Sequence, residues 1–144
     1  MKKRYLALII EDDADLSFIF SEALRLAGLE VEPIRDGGKA LARLAEVEPA
    51  LIVLDMHLPH LSGMNVLRQI HSEPRLLNTR VIIATADAAI AEELHNKADV
   101  VLLKPLSPEQ LVELAWRLVP GAKKFASDAA PSTSTNSAPV TDSD

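Results

Sequence analysis

Four aliphatic runs punctuate the chain: Leu6-Ala7-Leu8-Ile9-Ile10, Leu51-Ile52-Val53-Leu54, Val81-Ile82-Ile83-Ala84 and Val100-Val101-Leu102-Leu103. Runs this short and this apolar predict strands buried on both faces, as in a parallel sheet. Between them the apolar spacing changes to that of helices. Leu16, Ile19, Phe20, Ala23 and Ala27 share one face of a helix over about 13–27, with Gly28 placed to end it. A further strand is predicted at about 30–34. A second helix follows the cap-forming Asp36 and buries Ala40, Leu41 and Leu44. The stretch Leu58-Pro59-His60-Leu61-Ser62-Gly63 reads as a loop before a third helix carrying Val66, Leu67 and Ile70. A fourth helix is expected at about 88–96. The fifth opens on Ser107-Pro108-Glu109-Gln110, a capping box with proline at the first helical position. On that helix Leu111, Leu114, Ala115 and Leu118 form the core stripe. Trp116 lies beside it with Val112 and Val119, placed either to anchor an interface or to lie over helix four or the strand-five edge. Five strand–helix units predict an α/β fold with a doubly wound, five-stranded parallel sheet.

The pattern stops near Pro120. Residues 122–144 are rich in Ala, Ser, Thr, Pro and Asp, so the division expected is a domain over 1–121 and a disordered tail over 122–144. A length of 144 residues suits one domain, and a 48% hydrophobic content can fill its core. The net charge of -6 leaves no electrostatic footprint for nucleic acid. No apolar run is long enough to span a bilayer. Met1-Lys2-Lys3-Arg4 resembles the start of a signal peptide, but Glu11-Asp12-Asp13 cuts the apolar stretch short. Without cysteine or a signal peptide, a cytoplasmic setting is expected.

The chemistry follows the runs. Glu11, Asp12 and Asp13 come after the first, Asp55 after the third strand, Thr85 after the fourth and Lys104-Pro105 after the fifth. Open parallel sheets bind ligands beyond the carboxyl ends of their strands, so these groups should meet at one edge. Carboxylates hold a hard cation, Thr and Lys bind anionic oxygens, and a central carboxylate can act as a nucleophile. Asp13 is expected to cap the first helix instead of joining the site. His57, His60, His71 and His95 lack metal-ligand spacing.

The motifs Ile9-Ile10-Glu11-Asp12-Asp13, Asp36-Gly37-Gly38-Lys39-Ala40-Leu41, Ile52-Val53-Leu54-Asp55-Met56-His57-Leu58-Pro59 and Leu103-Lys104-Pro105 occur in order over roughly residues 4–120. Together they resemble the receiver domain of two-component response regulators, in particular a stand-alone receiver like the chemotaxis response regulator. The resemblance implies a flavodoxin-like sheet of strand order 2-1-3-4-5. It also implies a signalling switch and not an enzyme in the ordinary sense, beyond slow self-catalysed phosphotransfer and dephosphorylation. A sensor histidine kinase or phosphotransfer protein would donate a phosphoryl group to Asp55. Mg2+ would be held by Asp12, Asp55 and the backbone carbonyl of His57, with Glu11 acting through water. Thr85 and Lys104 would bind the phosphoryl oxygens, and a cis Lys104-Pro105 bond is implied. The face formed by helix four, strand five and helix five would carry the signal to a protein partner or a second receiver, without nucleic acid or membrane.

Three positions depart from that family's habit: Val101 where an aromatic is common, Leu106 after Lys104-Pro105, and Lys97 where a glycine usually follows helix four. They leave the chemistry in place and bear on output. The competing reading is a receiver-like adaptor that never needs phosphate. A phosphatase of the haloacid-dehalogenase type would need its nucleophile after the first strand and a second Asp two residues on, where His57 stands. A dinucleotide site would need a glycine fingerprint in the first turn, which here is acidic.

Overall fold

The chain alternates strand and helix throughout residues 4–126, the residues described by the structure, a computed structural model. The strands are β1 (Leu6–Ile10), β2 (Glu30–Ile34), β3 (Leu51–Asp55), β4 (Arg80–Thr85) and β5 (Val100–Leu103). The helices are α1 (Ala14–Leu26), α2 (Gly37–Leu44), α3 (Gly63–Ser72), α4 (Ala88–Leu94) and α5 (Pro108–Leu118). All pairings are parallel, in the order β2-β1-β3-β4-β5. This is the doubly wound, flavodoxin-like sheet that the apolar runs and the resemblance implied.

The period of two in a strand sorts the core into two layers. Ala7, Ile9, Leu51, Val53 and Ile82 point to α1 and α5 and pack with Phe20, Leu24, Leu111 and Ala115. Leu8, Ile10, Ile52, Leu54, Val81 and Ile83 point to the other face and pack with residues of α2, α3 and α4. The caps form as their residue types require. Asp13 accepts the Leu16 N–H, Asp36 those of Gly38 and Lys39, Asp87 those of Ala89 and Ile90, and Ser107 that of Gln110.

The fold departs from the expectations in four places. β5 is only half buried, and Leu103 is 50% exposed, because β5 is an edge strand with a neighbour on one side. Trp116 does not lie over α4 or the β5 edge. It turns to the end of α1, where its Nε1–H donates to the Ala27 carbonyl at 2.9 Å, and Lys123 Nζ sits 4.8 Å from the ring centre. The ring is therefore tied to the end of α1 and stays half-buried there.

The third departure concerns the start of the expected tail. Pro120–Phe125 forms a 3-10 helix, with Ala122 fully buried and Phe125 nearly so. Arg4 lies over the Phe125 ring at 5.0 Å. Gly28, at φ +100, makes room for the segment, since a Cβ there would collide with the Ala122 carbonyl. The packed unit thus extends to residue 126, because Ala122 joins the core beneath α1 and α5 and Phe125 is buried under the Arg4 side chain. The rest of the expected tail, 127–144, lies outside the described residues. The other unexpected element is a 3-10 turn, Pro74–Leu76, which drops Leu76 into the core below β4.

Candidate phosphoacceptor site

Register brings the chemistry to one edge. Ile10 pairs with Leu54, Asp55 with Ala84, and Thr85 with Leu103, so Glu11, Asp55, Thr85 and Lys104 leave the sheet at its carboxyl end. Glu11 and Asp55 are almost fully buried and Thr85 fully so. Such burial of carboxylates is costly unless a cation or hydrogen bonds compensate. Lys104 supplies the cation. Its Nζ donates to Glu11 Oε1 at 2.7 Å and stands 3.6 Å from Asp55 Oδ1. The Lys104-Pro105 peptide bond is cis.

The remaining bonds come from the backbone. His57 N–H donates to Asp55 Oδ1 at 3.2 Å, and Asp13 N–H to Glu11 Oε2 at 3.2 Å. Both the lysine and the His57 amide therefore address one Asp55 oxygen, Oδ1. Behind Asp55, Gly63 opens α3 where a Cβ would stand 2.5 Å from the Asp55 carbonyl oxygen, so the loop after β3 can fold tightly against its strand. Burial holds the Glu11 carboxyl above its ordinary value. The Lys104 hydrogen bond pulls it back down, and the Asp55 charge pushes it up again.

Glu11, Asp12 and Asp55 each offer an oxygen within 4.8 Å of the others. An all-oxygen set of this kind, open to solvent at Asp12, fits a hard divalent cation such as Mg2+, which keeps several waters and needs few carboxylates. Lys104 shares Glu11 with that site, so a bound cation and the ammonium would divide the carboxylate charge between them. Asp13 stays out, bound to Leu16 as a cap. Thr85 stands on the same edge, with its hydroxyl oxygen accepting the Asp87 N–H at 3.1 Å, which leaves its proton free to donate. The His57 side chain is exposed, and its backbone N–H reaches Asp55.

Two contacts were not visible in the sequence. Arg35, exposed at the end of β2, donates from Nε and Nη2 to the Asp12 carbonyl at 3.0 and 2.8 Å. His60 Nδ1 lies 3.0 Å from Asp36 Oδ2, tying the loop after β3 to the cap of α2. Neither pair follows a local spacing rule, since 23 and 24 residues separate the partners.

The profile of the response regulator receiver domain matches residues 7–115. The DNA-binding response regulator MtrA of Mycolicibacterium paratuberculosis is 30% identical over 105 residues, covering 73% of this chain and 47% of that protein. The chain spans about half the length of the curated relatives it matches. Among solved structures, the signal receiver domain of a signal transduction histidine kinase from Syntrophus aciditrophicus superposes with a TM-score of 0.73 at 27% identity. It covers 83% of this chain and 93% of that one. The chemotaxis response regulator CheY4 of Vibrio cholerae reaches a TM-score of 0.73 at 24% identity, covering 81% of this chain and all of that one, and shares the fold.

Proposed function

The chain belongs to the response regulator receiver domain family, and from that premise we propose that it is a phosphorylation-dependent switch with Asp55 as phosphoacceptor. Receiver domains are signalling domains and not enzymes in the ordinary sense. The observation that carries the reading is the position of Lys104 Nζ, bonded to Glu11 and 3.6 Å from Asp55 within an edge of three carboxylates. A buried cation placed between acids can move onto an incoming anionic group when the acids are neutralised in another way.

In this reading the donor is a phosphohistidine on a kinase or phosphotransfer protein. Asp55 attacks phosphorus through Oδ2, since Oδ1 holds the His57 amide. The phosphorus–nitrogen bond breaks, its electron pair stays on the imidazole, and the product is an acyl phosphate on Asp55. Lys104 shifts from Glu11 toward the new phosphoryl oxygens, and Thr85 donates its hydroxyl to one of them. Asp12, Asp55 and the His57 carbonyl, together with Glu11, would hold Mg2+, which when bound would supply charge neutralisation at the transferring group. Output goes through the α4–β5–α5 face, where half-exposed β5 presents Leu103, to a protein partner or a second copy.

Labelling with a small phosphodonor such as acetyl phosphate tests this. The parent chain should incorporate phosphate in Mg2+ and lose incorporation in EDTA, and Asp55→Asn should incorporate none. Equal labelling of Asp55→Asn would remove Asp55 as the acceptor. The adaptor reading keeps one observation in its favour. Val101 packs half-buried against the α2–α4 layer, so β5 lacks the aromatic ring that receivers commonly swing. Absence of labelling in the parent would establish that reading instead.

A further inference from the structure

We infer that Arg35 is a positioning residue for the cation site, holding the Asp12 peptide so that the Asp12 carboxylate faces the pocket; this rests on the Mg2+-binding reading above. The β1–β2 ladder continues one step past its last paired residues, Ile10 and Ile34, through the Glu11 N–H to the Ile34 carbonyl at 3.0 Å. That step brings Arg35 alongside the Glu11–Asp12 peptide. On its other side Asp36 is fixed as the cap of α2. Arg35 therefore springs from a backbone held at both flanks, and its two donors converge on one carbonyl.

The rest of the acidic loop is secured differently. Glu11 is held by Lys104 and the Asp13 amide, and Asp13 by its bond to Leu16. Asp12 lies between them and is the most accessible of the three candidate ligands. Its carbonyl is engaged by Arg35 while the N–H of the same Asp12–Asp13 peptide donates to Glu11 Oε2, so Arg35 completes the anchoring of the backbone that carries the Asp12 side chain. A guanidinium fork fixes direction in a way a point charge does not. Outer partners that orient ligands commonly tune a metal site.

Two effects of Arg35 oppose each other, and their signs separate a positioning role from a merely nearby charge. A cation beside the pocket repels Mg2+, so its removal alone should tighten binding. Loss of the fork should weaken binding by letting Asp12 drift. Because Arg35 is exposed, its charge is screened, and the positioning effect should win.

Calorimetric titration of Mg2+ into the parent, Arg35→Ala and Arg35→Lys chains tests this. The control is Arg25→Ala, which removes a cation tied to Glu22 and away from the Asp12 carbonyl. Arg35→Ala is expected to weaken Mg2+ binding by about tenfold, the lower end of what outer partners of metal ligands contribute. Arg35→Lys should recover part of that, and Arg25→Ala should leave binding unchanged. Binding by Arg35→Ala that is equal to or tighter than the parent's overturns the inference and leaves the site reading intact. Failure of the parent itself to bind Mg2+ overturns both.

Discussion

The two ends of the sheet solve opposite problems. At the carboxyl end, burial is spent on Glu11, Asp55 and Thr85, and one lysine offsets two acids. At the amino end, apolar groups close the structure. Ala122 packs into the core shared with α1 and α5, Phe125 is buried, Trp116 bonds to Ala27, and Arg4 and Lys123 lie over the rings. The first end holds charge in a low-dielectric setting and is stabilised by whatever neutralises it. The second is closed by apolar packing. Stability and function should therefore separate by region, since sites built for ligands commonly sacrifice stability for it.

The sharpest test is a double dissociation. Asp55→Asn should lose all phosphoryl uptake and melt no lower than the parent, because it removes one of the crowded buried carboxylates. Phe125→Ala should keep uptake below its melting point but lose about 3 kcal/mol, the usual range for a buried aromatic truncated in a core. A chain ending at Pro120 should behave like Phe125→Ala or worse, while one ending at Ala126 should melt with the full chain. Equal melting of the Pro120 and Ala126 chains would show that the 3-10 segment contributes nothing.

How far the sequence foretold these two ends differs for a physical reason. The gathering of Glu11, Asp12, Asp55, Thr85 and Lys104 at one edge was legible because parallel strands deliver whatever follows them to one edge, so position after an apolar run predicts position in space. Asp13, Asp36 and Ser107 were legible as caps because capping depends on neighbours two or three residues away. The amino end was not, since its contacts join distant segments. Nothing local tells Ala122 that Gly28 leaves a space for its carbonyl, or tells Trp116 that Ala27 has a carbonyl to offer. Arg35 was missed for the same reason. The exposure of β5 follows from its place at the sheet edge, which a run of four aliphatic residues does not declare.

The charged end should also reveal itself in acid. The folded Glu11 carboxyl sits above its ordinary value of 4.5, chiefly through burial. Its protonated form is thus favoured in the native state. Between the ordinary and the raised value the native chain binds more protons than the unfolded one, so this group's contribution to stability falls as pH rises through that window. In Mg2+-free buffer, melting curves across mildly acidic pH should show this downward slope as pH rises, and Glu11→Gln should flatten it. An unchanged slope in Glu11→Gln would assign the effect to another group. Added Mg2+ should offset the loss at neutral pH in the parent, because a bound cation stabilises the charged form.

Within the acidic loop, adjacent residues should behave differently. Asp12→Ala should weaken Mg2+ binding with little change in melting, because Asp12 makes no cap. Asp13→Ala should leave Mg2+ binding nearly unchanged and cost about 1 kcal/mol, the usual value of an N-cap. Titration and thermal melts of the two variants check both halves. Equal losses of Mg2+ affinity would place Asp13 in the site.

The smallest effect expected is at Trp116, and it bears on where the signal leaves the molecule. Trp116→Phe keeps an aromatic ring for Lys123 and loses only the bond to the Ala27 carbonyl. A net loss of about 1 kcal/mol is expected, a shift of about 3–4 °C for a domain of this size. Because the ring faces α1 and the 3-10 segment, the variant should not alter any association that beryllofluoride, a phosphoryl mimic, induces. Leu103 is the contrasting position, half exposed on edge strand β5. If phosphorylation acts through the α4–β5–α5 face, Leu103→Asp should weaken the induced association and leave Asp55 labelling intact. Sedimentation of both variants with and without beryllofluoride decides between the faces. A weakened association in Trp116→Phe together with an unchanged one in Leu103→Asp would move the output surface to the α1–α5 side.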